Sequence, residues 1–188
     1  GLLELTGPFS HEDNALKETF DYYWQNSLKF GLPFRKFPIY NTNGEISTNL
    51  KYLDELYQKG YRIFVGFSRS TIIAGVLEWF NTHPDAVGIS ATSTAYSLVI
   101  KKNIYRMSPI DKGIQVNLES DIAKNPSLNV YFMYQKDDFF STDYLKSFQA
   151  NPIIGPRLIV CTFVDKITPE LLNTYLVNSK KSDFIVNG

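Results

Sequence analysis

Tyr61-Arg62-Ile63-Phe64-Val65-Gly66-Phe67-Ser68-Arg69-Ser70-Thr71 is the stretch that decides the fold. Its apolar run, Ile63 to Val65, breaks at Gly66 into a loop rich in hydroxyl groups. A helix-length segment ending at Trp79-Phe80 follows, then a second apolar run, Ala86 to Ile89, which opens into Ser90-Ala91-Thr92-Ser93-Thr94. Two successive strands thus end in small hydroxyl residues, each before a helix or turn. In an open parallel sheet the carboxyl ends of the strands are where free backbone N–H groups and helix N-termini converge, and where ligands bind. The pattern predicts a rim able to hold a small polar or anionic molecule.

The same alternation runs outward in both directions. Leu2 to Leu5 reads as a short buried strand closed by Thr6-Gly7-Pro8. Ser10 offers a helix N-cap with Asp13 three positions on, and Ala15, Leu16, Phe20, Tyr23 and Trp24 recur at helical spacing. Phe34 to Tyr40, interrupted by Pro38, predicts a strand at or near an edge, followed by the turn Asn41-Thr42-Asn43-Gly44. Ser47 is positioned to cap a helix with Leu50, Leu53, Leu56 and Tyr57 on one apolar face, stopped by Gly60. Beyond the central stretch, Ile104 to Met107 reads as a short strand. Asp111 to Lys124 reads as a helix with Ile114, Leu118 and Ile122 on one side. Leu128 to Tyr134 is apolar apart from Asn129, the pattern of a parallel strand covered on both faces. A helix from Ser141 to Ala150, a strand from Arg157 to Phe163, a proline-initiated helix from Thr168 to Ser179 and a strand from Phe184 to Val186 complete the series. Strand and helix in alternation with short connections define an α/β protein with doubly wound parallel sheets and helices on both faces.

Composition narrows the function. At 188 residues and 44% hydrophobic, the chain is long enough for one good core or two small lobes. Nineteen basic and nineteen acidic residues cancel and form no basic stripe, so nucleic acid is not an expected partner. No apolar run approaches the ~20 residues of a spanning helix, so a membrane is expected only through parts outside this chain. The strand at Leu2 is preceded by no basic and apolar leader, as in a chain whose signal was removed or never present. Cys161, the single cysteine, excludes an intrachain disulfide and falls in an apolar strand, where it reads as a small core residue.

Catalytic chemistry has little to stand on. His11 and His83 are isolated and give no metal spacing. No GxGxxG, GxxxxGK or Gly-x-Ser-x-Gly pattern occurs, so neither a phosphate loop nor a nucleophile elbow is present. No catalytic residue, no metal and no cofactor are expected. Asp137-Asp138 could hold a hard cation, but adjacent carboxylates before a helix are more ordinarily solvated. Trp24 and Trp79 fit packing positions.

The order of these segments resembles the type I periplasmic-binding-protein fold of the leucine-binding-protein and receptor-ligand-binding-region family. The resemblance rests on Leu2-Leu3-Glu4-Leu5-Thr6-Gly7-Pro8, on Val65-Gly66 with its serine loop, and on Ile89-Ser90-Ala91-Thr92-Ser93-Thr94. It continues through Tyr105-Arg106-Met107-Ser108-Pro109-Ile110-Asp111, then Val130 to Phe140, and ends on Ser182 to Gly188. It implies an N-terminal lobe over 1–107 and part of a second lobe over 108–188, incomplete relative to the family, whose chains run on and return to the first lobe.

What the resemblance implies for the site is specific. Ser68 and Ser70 lie where the family grips a ligand carboxylate; Ser70 could equally serve only as a helix cap. Arg69 replaces a usual small residue and could add a bidentate grip on an anion, although a solvent-facing guanidinium is the more ordinary outcome. Ala91, Thr92 and Thr94 match the second contact loop, or else form a plain Ser/Thr-rich loop. Phe139 falls at the aromatic position that covers the ligand, and Phe140 replaces a common glycine. Asn41 and Asn43 stand where relatives often have acids. The implied function is a non-catalytic, extracytoplasmic solute-binding or sensor-type domain, periplasmic or extracellular, closing two lobes on a small polar ligand (amino-acid-like, amide or carboxylate). The alternative is a structural or interaction protein that keeps the fold without the ligand. Through the lobe surface, a second copy or a larger assembly is a further expected partner.

Overall fold

The computed structural model describes residues 1–31, 36–95, 97–98, 102–164, 167–177, 179 and 183–187. Phe34, Arg35, Asn178, Ser182 and Gly188, which belong to expected segments, lie outside them. The chain divides into two compact units, Gly1–Ser93 with Leu98–Pro109, and Thr94–Ser97 with Ile110–Gly188.

The first unit holds a parallel sheet of five strands: β1 (Leu2–Leu3), β2 (Tyr40–Asn41), β3 (Ile63–Gly66), β4 (Val87–Ser90) and β5 (Ile104–Arg106), in the order β2-β1-β3-β4-β5. Helices α1 (Ser10–Gln25), α2 (Ile46–Gln58) and α3 (Ser70–Thr82) are its crossovers. β2 is the edge strand that Pro38 predicts, but among the described residues only Tyr40 and Asn41 pair, with Leu2 and Leu3. The turn falls on Asn43 and Gly44, both at positive φ. The core is built where β3 meets α2 and α3: Leu53, Leu56, Phe64, Val76, Trp79 and Phe80 are all buried. Phe64 meets Trp79 and Phe80 edge-on, at 5.7 and 6.3 Å between centroids, the geometry that aromatic quadrupoles favour.

A polar clasp ties the end of α2 to the segments that precede β3 and β4. Tyr57 Oη and Arg62 Nε both donate to Asp85, at 2.7 and 2.8 Å, while His83 stacks on Trp79 at 4.0 Å. The Asn103 amide donates to the carbonyls of Phe80, in the last turn of α3, and of Ala86 beyond it, at 3.0 and 2.9 Å.

The second unit holds a parallel sheet ordered β7-β6-β8, from β6 (Val130–Gln135), β7 (Leu158–Phe163) and β8 (Phe184–Asn187). As their continuous apolar runs predict, β6 and β7 are neighbours in a sheet separate from that of β1 and β3. Helices α4 (Lys112–Ala123), α5 (Phe139–Ala150) and α6 (Pro169–Leu176) accompany it. Strand alternation explains why β6 has no polar break. Val130 and Phe132 face Ile122, Leu145 and Phe148 on one side, whereas Tyr131 and Met133 face Cys161, Leu172 and Tyr175 on the other. Cys161 is a buried core residue, and burial pushes its thiol pKa up.

Several expectations need correction. Ser10, Ser47 and Ser70 are not N-caps but lie inside helices whose N-caps are Phe9, Glu45 and Arg69. The reason at α1 is that the Glu4 carboxylate already accepts from Phe9 N–H and the Gly7 carbonyl from Ser10 N–H. Tyr23 and Trp24 are not packed inside but are 44% and 37% exposed, and Lys36 Nζ lies 4.6 Å over the Trp24 ring. α1 instead buries Asp13. Ile114 is exposed because α4 turns Gln115 and Ile122 inward, and Gln115 bonds Glu119, which also accepts from Ser147 and Asn151.

Candidate functional site

The carboxyl ends of β1, β3 and β4 form the candidate rim, all within the first unit. β3 ends on Gly66, whose φ of +139° and contact with β1 both demand glycine: a Cβ there would overlap the Leu2 carbonyl. Phe67 then adopts φ +53° and buries its ring against Phe80, which throws Ser68, Arg69 and Ser70 to the rim. The loop after β4 lies beside it, fixed by a hydrogen bond of 3.1 Å from Ala91 N–H to the Gly66 carbonyl.

The hydroxyl groups tie these loops together. Ser68 Oγ donates to Asp13 Oδ1, and Asp13 Oδ2 accepts from Glu4 N–H at 2.6 Å. Ser70 Oγ lies 3.3 Å from Ser93 Oγ, and both serines are buried. Thr92 Oγ1 donates to the Ser68 carbonyl at 2.9 Å, although Thr92 itself is exposed. Ser90 Oγ donates to the Phe67 carbonyl and Ser108 Oγ to the Ala91 carbonyl, at 2.9 and 2.7 Å. A hydroxyl that has given its proton keeps acceptor capacity. The rim can therefore receive hydrogen bonds from a ligand through these groups more readily than it can donate them.

Arg69 does not point into solvent. Its Nε lies 3.3 Å from Glu4 Oε2, a second nitrogen donates to the Gly44 carbonyl at 2.8 Å, and the guanidinium covers the Phe9 ring at 4.5 Å. Glu4, 5% exposed, is the counter-ion that sequence reading missed. Gly7 and Gly44, at φ +116° and +70°, both approach the Glu4 carboxylate too closely to carry a Cβ. A charged residue closing an apolar strand, followed by Gly-Pro, was the available signal.

The remaining candidates lie in the second unit. Thr94 is half-buried, and its carbonyl accepts from Asp111 N–H at 3.1 Å. Phe139 is the first residue of α5 and half-buried; Phe140 packs on Tyr144 at 4.9 Å. Asp138 caps α5, accepting from Ser141 N–H at 2.8 Å. That role, and not solvation alone, accounts for one of the paired aspartates. Among the described residues no group of three His, Cys, Asp or Glu is arranged to hold a metal, and no helix is long and apolar enough to cross a membrane.

Comparison with solved structures identifies the fold. An extracellular ligand-binding receptor from Rhodopseudomonas palustris HaA2 matches at a TM-score of 0.75 and 13% identity, over 100% of this chain and 53% of that one. The branched-chain amino acid transporter substrate-binding protein of Streptococcus pneumoniae, solved with isoleucine, matches at 0.73 and 18%, over 99% of this chain and 55% of that one. A solute-binding protein of an ABC transporter from R. palustris BisB5, solved with 3,4-dihydroxybenzoic acid, matches at 0.73 and 12%, over 99% and 53%. The chain has the α/β architecture of the type I periplasmic-binding-protein fold and spans about half the length of these proteins. No family model and no curated protein matches it.

Proposed function

We propose that this protein is a non-catalytic solute-binding or sensor-type protein that works outside the cytoplasm and holds a small polar molecule at the first unit's rim. The observation that carries this reading is the convergence of Ser68-Arg69-Ser70 and Ala91-Thr92 beside the start of α3, at the carboxyl ends of two adjacent parallel strands. Support comes also from the fold, shared with proteins solved in complex with isoleucine and with 3,4-dihydroxybenzoic acid. Neutral or zwitterionic molecules suit the rim best, because the Arg69 guanidinium is already paired with Glu4. Thr94, in the lobe over 1–107, and Phe139, in the second lobe over 108–188, enter the reading through the family resemblance, as contacts of two lobes that close on the ligand. Closure would be favoured only by contacts that the open state lacks.

A second reading is favoured by one observation. Ser68 and Thr92 give their hydroxyl protons to the protein itself, and Arg69 is engaged by Glu4 and the Gly44 carbonyl, as expected of a scaffold that keeps the fold and has no ligand. Isothermal titration calorimetry against pooled amino acids, amides and small carboxylates separates the two. Saturable heat with one component supports solute binding; silence across the pool, with the rim closed in a crystal structure of the protein, leaves the scaffold reading.

A further inference from the structure

Asn49 occupies the first turn of α2 and is 1% exposed. Its Nδ2 donates to the Glu45 carbonyl at 2.8 Å. That contact fixes the carboxamide, since a flip would set oxygen against oxygen. Oδ1 is left as a buried acceptor to which no described protein group donates. A buried amide oxygen is seldom left in that condition.

Asn49 lines a small cavity with Glu4, Asp13, Thr42, Ser68 and Arg69. About 10 Å³ remains for the centre of a water-sized group, enough for one. The chemistry of the lining is one-sided. Glu4 and Asp13 bring carboxylates, the Ser68 hydroxyl is donated to Asp13, and Arg69 is directed to Glu4 and the Gly44 carbonyl. Arg69 Nε is buried without a hydrogen bond of its own among the described residues, but Asn49 Oδ1 and the two carboxylates make the lining mainly an accepting one, which favours a donor over an anion. We propose that this cavity is a binding site for one water-sized hydrogen-bond donor, water or an ammonium ion, held by Asn49 Oδ1 and the neighbouring carboxylates. Such a group links Asn49 of α2 to Glu4, just after β1, and to Asp13 of α1.

The test is a high-resolution crystal structure of the protein grown with and without ammonium salts, together with Asn49→Leu, which keeps the volume and removes the acceptor. One peak within about 2.7–3.2 Å of Asn49 Oδ1 is expected, and it should vanish in the variant. A peak of equal occupancy in both media identifies water; one that strengthens with ammonium identifies the cation. Absence of a peak in both media overturns the proposal, as does an Asn49 oxygen found accepting from a protein group, or a peak that survives Asn49→Leu unchanged. Should the variant not fold, the two media on the unaltered protein still decide.

Discussion

Arg69 and Glu4 form an ion pair at 3.3 Å in which the Glu4 side chain is only 6% exposed and the Arg69 side chain 25%. Removing one partner strands a buried charge, whereas removing both does not. Arg69→Met is therefore expected to lower unfolding free energy by about 3 kcal/mol, and Glu4→Gln by a similar amount. The double variant should lose less than the sum of the singles. Urea unfolding of the four proteins as a double-mutant cycle measures this, and strict additivity would show that the pair contributes nothing.

The glycines around Glu4 give a sharper test of the same arrangement. Gly60 and Gly44 both sit at positive φ, +91° and +70°, but a Cβ meets nothing within 4 Å at Gly60 and overlaps the Glu4 carboxylate at Gly44. Gly60→Ala should cost only backbone strain, about 1–2 kcal/mol. Gly44→Ala should cost more, and Glu4→Ala should recover part of the excess. Equal losses at the two glycines would mean that the carboxylate is not seated there.

Much of this architecture could be read along the chain, because burial on both faces leaves an uninterrupted apolar signature at Val130 to Tyr134 and a helix stop at Gly60 needs only local backbone geometry. What escaped reading depends on partners distant in sequence. Nothing near Glu4 announces Arg69, and nothing near Ser68 announces Asp13; each reads locally as an ordinary charged or capping residue. The phase of α4 was missed for a related reason: Ile114 and Gln115 compete for the inward position, and the network in which Glu119 of α4 accepts from Gln115, Ser147 and Asn151 decides for Gln115. At the rim, sequence identifies which hydroxyls gather but not to whom each gives its proton.

Tyr144 provides a pH signature for the second unit. Burial, followed by the negative charges of Asp111 and Asp143, pushes its phenol pKa up to about 12 from an ordinary value of 10.0. The unfolded chain thus releases this proton first as pH rises. Between about pH 10 and 12 the folded state binds more protons than the unfolded one, and stability falls with increasing pH. Spectrophotometric titration should show a late-titrating tyrosine component that Tyr144→Phe removes, and the variant should lose stability less steeply across that window. A titration curve identical for both proteins would contradict the assignment.

Arg157 closes α4 from outside its own sequence. Its guanidinium donates to the carbonyls of Ile122, Leu128 and Asn125, at 2.9, 2.6 and 2.5 Å. Arg157→Met should cost about 2 kcal/mol, the scale of charged hydrogen bonds with partial compensation by water. Lysine should rescue little, because one ammonium cannot reproduce the planar fork. Thermal unfolding compares the three proteins.

The functional reading depends most on Ser70 and Thr92, and the geometry sharpens what their replacement should do. Ser70 is buried beside Ser93, so Ser70→Ala removes a rim hydroxyl without opening the core. Thr92 is exposed and donates to the Ser68 carbonyl, so Thr92→Val also frees the serine loop and should cost a little stability, about 0.5–1.5 kcal/mol. If each hydroxyl also meets the ligand, with about 0.5–1.5 kcal/mol at stake for a neutral group and about 1.5–3 for a charged one, the double variant should bind roughly tenfold to a few hundredfold more weakly, at about 1.4 kcal/mol per tenfold. Phe139→Ala, in the other unit, should weaken affinity through lost apolar contact while leaving any charge preference intact. Calorimetry on the ligand found in the pooled screen reads all three. An affinity unchanged by the double variant, in a protein that remains folded, would remove Ser70 and Thr92 from the site. An affinity lowered only by Phe139→Ala would move the binding surface to the second unit.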